Sequence, residues 1–237
     1  MNLLLLSNST NIGREYLAHA WQAVLPVLAG IDEVVFVPYA LADLDGYTAK
    51  VRAAFAPHGI RVRGAHEDND PAATVAAASA VFVGGGNTFR LLDRVRTLGL
   101  DAALRAHSAA GRPYLSASAG TNLAAPTIRT TNDMPIVFPG TFEALGLVPF
   151  QINCHYLDAD PLSTHAGETR ALRLTEYLEE NATPVVALRE GTWIRVDGDT
   201  ASIGGSAVAP DHGPAVLFSS GREPLEIAGD ISGLLRA

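Results

Sequence analysis

Short blocks of apolar residues with no polar alternation recur along the chain: Leu3–Leu6, Glu33–Val37, Ile60–Val62, Ala80–Val83, Pro113–Leu115, Pro149–Asn153 and Pro184–Leu188. A strand that reads apolar at successive positions has both faces covered, as in a parallel sheet sandwiched between helices. The segments between them carry helical spacing: Tyr16–Leu28, Thr48–Ala56, Pro71–Ala78, Thr88–Leu98, Leu100–Ser108 and Thr169–Glu180. Asp70 before Pro71 supplies an N-cap followed by proline at the first helical position. This alternation predicts a single doubly wound, mostly parallel α/β sheet. The last third changes period. Thr192–Gly204 alternates around Asp197-Gly198, a hairpin signal, and Ala215–Phe218 and Pro224–Ile227 follow as strands. An antiparallel end on the sheet is therefore expected.

Composition narrows the class. The chain has 237 residues, 48% hydrophobic and 18% charged, enough apolar material for a packed core. No linker, repeat or low-complexity segment divides it, so residues 1–237 are expected to form one domain. The net charge of −8 argues against nucleic acid, which demands clustered cations. It also repels acidic ligands at long range, so an acidic substrate would need arginines placed locally. No apolar stretch approaches the length of a membrane span, and Met1–Ser7 lacks the basic flank and apolar length of a secretory signal. One cysteine, Cys154, forms no internal disulfide and fits a reducing compartment, so a cytoplasmic protein is expected.

The most informative stretch is Tyr114-Leu115-Ser116-Ala117-Ser118-Ala119-Gly120-Thr121-Asn122. A strand ends here, small residues surround Ser118, and a helix-like segment begins. A nucleophile elbow has this composition, because a tight strand-to-helix turn leaves no room for large neighbours. It also sets the serine at a helix N-terminus, which favours developing negative charge. Ser116 stands where G-x-S-x-G has its first glycine, a place where positive φ would cost a serine some strain. Without further signals, an ordinary small-residue turn fits the same letters.

Other motifs follow in order: Leu3–Thr10, Val83-Gly84-Gly85-Gly86-Asn87-Thr88-Phe89, Pro126–Val137, Gln151-Ile152-Asn153 with His155, Gly167-Glu168-Thr169-Arg170, and Glu190-Gly191 with Trp193. Together with Ser118-Ala119-Gly120, this series resembles the peptidase E family of aspartyl dipeptidases over roughly residues 1 to 205. The run Thr-Thr-Asn-Asp-Met-Pro-Ile-Val is its most specific part. The resemblance implies a class I glutamine-amidotransferase-like sheet with the elbow at Ser118. Three departures lie beside the site. Ser116 and Ala117 replace a usual glycine and tryptophan, and Cys154 replaces a usual proline.

Roles follow from that resemblance and from the chemistry each residue offers. A serine needs a base. His155, after the strand Phe150–Asn153, sits where open α/β sheets collect ligands and matches the family's catalytic histidine. His19, His58, His66, His107, His165 and His212 read as surface or structural residues. Two carboxylates compete to orient the imidazole. Glu190 is ranked first as the direct partner of His155, and Asp133 second as a supporting carboxylate, with capping of its own turn as the alternative for Asp133. Ala119 and Gly86 are expected to donate backbone N–H groups to an oxyanion. The glycine loop lacks the lysine of a P-loop and the spacing of a dinucleotide site. Arg170, with Arg173 on the same helix face, is expected to hold a substrate carboxylate, while Arg173 alone fits a solvated face equally well.

The resulting expectation is a serine dipeptidase that cleaves after an N-terminal aspartate through an acyl-enzyme, with no metal or cofactor. A small peptide is the expected partner, with no nucleic acid and no membrane. Oligomeric state, a homodimer included, is not encoded in the pattern. Rival readings are a cyanophycinase-type β-aspartyl peptidase, a non-catalytic binding protein on the same scaffold, and a glutaminase, which would want cysteine at the elbow.

Overall fold

The computed structural model describes residues 1–160, 162, 164, 167–208 and 212–236; His165 lies outside the described residues. In chain order the elements are β1 (Asn2–Leu6), α1 (Trp21–Val27), β2 (Glu33–Val37), α2 (Leu44–Phe55), β3 (Arg61–Gly64), α3 (Pro71–Ala77), β4 (Val81–Val83), α4 (Thr88–Thr97), α5 (Leu100–Ala109), β5 (Tyr114–Ala117), α6 (Ala119–Ala124), β6 (Gln151–Tyr156), α7 (Arg170–Glu180), β7 (Val185–Arg189), β8 (Thr192–Asp197), β9 (Thr200–Gly205), β10 (Ala215–Phe218), β11 (Leu225–Ile227) and β12 (Gly229–Asp230). Asp43 caps α2 by accepting Gly46 N–H at 2.9 Å, and Asp70 caps α3 by accepting Ala73 N–H at 2.9 Å.

The large sheet has the order β3-β2-β4-β5-β1-β8-β9-β12. Strands β1 to β5 pair in parallel with one another, and β8, β9 and β12 add an antiparallel end on the far side of β1. Alternate residues of one strand feed two cores. Leu3 and Leu5 pack on the side of α3, α4, α5 and α6, while Leu4 and Leu6 pack on the side of α1 and α2. All four leucines are fully buried. This double covering is why the strands read as uninterrupted apolar runs. Among the described residues no helix is long and apolar enough to cross a membrane.

Two sequence expectations need correction. Strands β6 and β7 do not join the large sheet. With β10 and β11 they form a second one, ordered β11-β10-β7-β6. The edge of β1 that a further parallel strand would take is occupied by antiparallel β8. The second sheet instead packs Ile152, Val186 and Leu188 onto the core beneath α6, and α7 covers its other face with Leu174 and Leu178. The first helix also begins at Trp21 rather than Tyr16. Leu17 takes φ 59°, a left-handed conformation that no helix continues through.

Candidate active site

Strand β5 lies between β1 and β4, with Ser116 in register with Leu5 on one side and Val83 on the other. Ser118 follows at φ 53°, ψ −110°, as the N-cap of α6. Its N–H donates to Leu6 O at 3.1 Å, and its carbonyl accepts from Thr121 and Asn122 N–H at 2.9 Å each. The turn therefore has the sharp backbone of an elbow. Gly120 makes it feasible, because a Cβ there would collide with the backbone oxygen of Val83.

The strain expected at Ser116 is absent. Among described non-glycine residues, positive φ occurs at Leu17, Ser118 and His155. Ser116 is a regular, fully buried strand residue whose hydroxyl meets Thr121 Oγ1 at 2.9 Å. Cys154 is buried beneath the elbow, with Sγ 3.5 Å from Ser118 O. Burial, reinforced by the negative charge of Asp133, raises its thiol far above the ordinary value, so it stays protonated and unreactive.

His155 lies within β6, where the register against β7 shifts between Asn153 and Tyr156. That irregularity, with φ 54° at His155, turns the ring toward the elbow. Nε2 lies 2.8 Å from Ser118 Oγ, and Nδ1 lies 2.7 Å from Glu190 Oε1. Serine, imidazole and carboxylate thus form one hydrogen-bonded chain. Asp133 is placed differently. Its Oδ2 accepts from Thr88 N–H at 2.7 Å, Thr88 Oγ1 at 2.5 Å and Thr131 Oγ1 at 3.1 Å. It holds the start of α4 to the turn containing Asn132, and among the described residues it makes no hydrogen bond to His155.

Three consecutive residues at the end of β1 and just beyond it tie these segments together. Leu6 O accepts the Ser118 N–H, Ser7 Oγ accepts the His155 N–H at 3.0 Å, and Asn8 Oδ1 accepts the Gly191 N–H at 2.8 Å. Ser7 Oγ also donates to Leu188 O at 2.9 Å and is fully buried.

Ser118 and His155 open into a cleft of about 580 Å³ that Gly85, Gly86, Tyr47 and Asp133 also line. The Gly85 N–H is taken by Tyr47 Oη at 2.8 Å. Gly86, at φ 137°, has no room for a Cβ against Ala40 O, and its N–H has no partner among the described residues. The Ala119 N–H, at the first position of α6, is likewise unpartnered among them.

The two arginines fare differently from each other, and neither lines this cleft. Arg173 is exposed and pairs with Glu168 at 3.3 Å. Arg170 is half-buried at the start of α7. Burial and Arg173 lower its pKa, and Asp133 is close enough to oppose that shift.

The remaining histidines carry other duties. His107 is buried against Pro113 O at 2.9 Å, His66 pairs with exposed Asp45, and His58 packs on Trp21. Both ring nitrogens of His19 are buried. Burial lowers its pKa, and the backbone of Asn8 and then the charge of Glu190 act against that. Asp158, His212 and Glu226 come within 4.8 Å of one another. The guanidinium of Arg189 sits among them, bonded to Asp158 at 2.7 Å and to Glu226 at 2.6 and 2.8 Å. In the sequence Ser7 and Asn8 are marked only as part of Leu3–Thr10, and neither this clamp nor Tyr47 is marked at all.

Comparison with known proteins identifies the family. The model for peptidase family S51 matches residues 3–204. Peptidase E of Streptomyces coelicolor is 59% identical over 237 residues, covering 99% of this chain and 95% of the relative. Peptidase E of Citrobacter koseri is 47% identical, covering 95% and 98%. A Drosophila melanogaster protein named probable alpha-aspartyl dipeptidase is 45% identical, covering 99% and 98%. Two crystal structures share the fold. One is a protein from Listeria monocytogenes EGD-e (TM-score 0.65, 21% identity, 87% of this chain and 98% of that one). The other is a peptidase from an acI-B1 Actinobacterium (0.61, 14%, 95% and 96%). With the family model spanning most of the chain and relatives at these identities, the protein belongs to peptidase family S51 and is a serine-type peptidase.

Proposed function

We propose that this peptidase is a dipeptidase that hydrolyses the bond after an N-terminal aspartate through a covalent acyl-enzyme on Ser118. The observation that carries the reading is the continuous chain Ser118 Oγ–His155 Nε2 (2.8 Å) and His155 Nδ1–Glu190 Oε1 (2.7 Å). Ser118 Oγ attacks the carbonyl of the first residue while Nε2 takes its proton. Glu190 accepts the Nδ1–H, which fixes the tautomer and stabilises the imidazolium. The N–H groups of Gly86 and Ala119, unpartnered among the described residues and beside the serine, bond the oxyanion. Collapse of the tetrahedral adduct breaks the C–N bond, and Nε2 returns the proton to the departing amine. Water then enters, gives its proton to Nε2 and releases the acid, restoring the Ser118 hydroxyl.

The preference for aspartate follows the names of the relatives and one electrostatic feature. Arg170 stands near Asp133, a residue of the cleft wall. A guanidinium there is a natural partner for a side-chain carboxylate. Arg173, already paired with Glu168, is the weaker candidate. Asp133 serves as a supporting carboxylate that holds the loop, with Glu190 as the direct partner of His155.

The test is a panel of Asp-Leu, Glu-Leu, Ala-Leu and β-Asp-Arg peptides assayed with the wild type and Ser118→Ala. Turnover of Asp-Leu well above the others, abolished in the variant, is expected. Equal rates across the panel would remove the specificity claim, and retained activity in Ser118→Ala would remove the nucleophile.

A further inference from the structure

The chain has 17 lysines and arginines, and Lys50 is the only lysine among them. That one lysine is on the wall of the cleft that holds Ser118 and His155, where it is the only permanently cationic side chain among the described lining residues. It projects from α2, with Nζ 5.0 Å from the centre of the Tyr16 ring. It forms no ion pair among the described residues. Asp43, on the same wall, spends an oxygen capping α2 through Gly46 N–H. Among the described residues Lys50 is therefore an ammonium without a carboxylate partner, held by a ring face, in the cleft of a chain whose overall charge repels anions.

Position gives this charge a direction. Helix α2 packs on the side of the sheet that buries Leu4 and Leu6, whereas α4, whose first turn holds Asp133, packs on the opposite side. Lys50 and the Asp133–Arg170 region thus flank Ser118 from opposite faces of the sheet. An Asp-X dipeptide has two carboxylates, one on the aspartate side chain and one at its C-terminus, on either side of the scissile bond. Resting on the aspartyl-dipeptidase reading, we infer that Lys50 binds the terminal carboxylate of the departing amino acid. Its charge is what confines the enzyme to very short peptides. A longer peptide has an amide at that point and no carboxylate to offer. A compact ammonium suits a target whose orientation changes with the side chain of X, since it needs no bidentate geometry.

The test compares Asp-Leu with Asp-Leu amide, which differ only in that carboxylate, in the wild type, Lys50→Met, Lys50→Arg and Arg14→Gln. Arg14 borders the adjoining cavity that Lys50 also lines and serves as the control cation. The wild type is expected to favour the acid. Lys50→Met should reduce the acid-to-amide ratio of kcat/KM by about tenfold to a hundredfold, the usual worth of a hydrogen bond to a charged group, mostly through KM. Lys50→Arg should recover part of the ratio, and Arg14→Gln should leave it as in the wild type. Asp-Leu should also protect Lys50 of Ser118→Ala from acetylation, read by mass spectrometry. An unchanged ratio in Lys50→Met, or one that collapses in Arg14→Gln instead, would overturn the inference while leaving the substrate reading in place. Failure of the wild type to cleave either peptide would overturn both.

Discussion

Replacing Ser118 with alanine and with glycine should give two inactive proteins of different stability, and the difference measures how strongly the elbow is strained. At φ 53°, ψ −110° a residue with a Cβ lies outside the regions that L-amino acids favour, at a cost of about 1–3 kcal/mol. Alanine keeps that cost and glycine escapes it. Glycine also gains entropy in the unfolded chain, a penalty of about 0.5–1 kcal/mol. Both variants lose the hydroxyl's 2.8 Å bond to His155, so that loss cancels in the comparison, and Ser118 is only half-buried, so little packing is at stake. The glycine variant should be more stable than the alanine variant by about 1 kcal/mol, which for a chain of this size is a melting temperature higher by about 2–4 °C. Urea unfolding at matched m-values is the cleaner assay. If the alanine variant proves equally or more stable, the turn is not a reservoir of strain and the positive φ has no functional meaning.

Further outcomes follow from the same geometry. Glu190→Gln should lower kcat on Asp-Leu by about a thousandfold to ten-thousandfold with KM little changed, as loss of the imidazole's orienting partner does elsewhere. Asp133→Asn, which keeps an acceptor for Thr88, should cost far less, and the opposite ranking in steady-state kinetics would exchange their roles. Arg189→Met should destabilise by about 2 kcal/mol, below the cost typical of a fully buried pair because Asp158 and Glu226 remain partly exposed. Its bonds from Arg189 depress the Asp158 pKa, so this stabilisation is present above the ordinary carboxylate value and is lost as pH falls through the depressed one. Urea midpoints should therefore drop less steeply below about pH 4 in Arg189→Met than in the wild type. Ser7→Ala leaves the His155 N–H without its acceptor, so unfolding should show a loss of about 1–3 kcal/mol. A parallel fall in kcat on Asp-Leu would mark the hydroxyl as a positioning group, and unchanged kcat would mark it as merely structural.

What could be read from the chain divides along physical lines. Four of the five parallel strands, β1, β2, β4 and β5, are visible because burial on both faces leaves an almost unbroken apolar run. Edge strand β3 (Arg-Val-Arg-Gly) is partly exposed and shows only Ile60 and Val62 around Arg61. The hairpin is visible because Asp197-Gly198 interrupts an alternation. The second sheet was not visible as a separate unit. Val185–Arg189 is covered on one side by the central core and on the other by α7, so it reads like any strand of the first sheet. A one-dimensional pattern records that a face is covered but not by what. The choice between Glu190 and Asp133 had the same limit. Both lie in turns beside family-like motifs, and only the fold shows that one meets imidazole and the other meets threonine hydroxyls.

The deepest gap concerns residues with no chemistry of their own to advertise. Ser118 belongs to the large sheet, while His155 and Glu190 come from the smaller one, so their alignment depends on a joint between two sheets that share no strand. The joint is Leu6-Ser7-Asn8. A backbone oxygen, a hydroxyl and a side-chain amide from three successive residues each accept an N–H from Ser118, His155 and Gly191 in turn, and Ser7 adds a bond back to Leu188 in β7. Three acceptors fixed by one short run of backbone cannot move independently, which holds the serine, the imidazole and the carboxylate's turn to a common frame. The requirement also accounts for the letters after β1. The apolar run must stop where buried polar acceptors are needed, and small side chains are needed because each reaches its partner across close-packed backbone. In the bare sequence Ser7 and Asn8 look like the end of a strand, because their partners lie some 150 to 180 residues away.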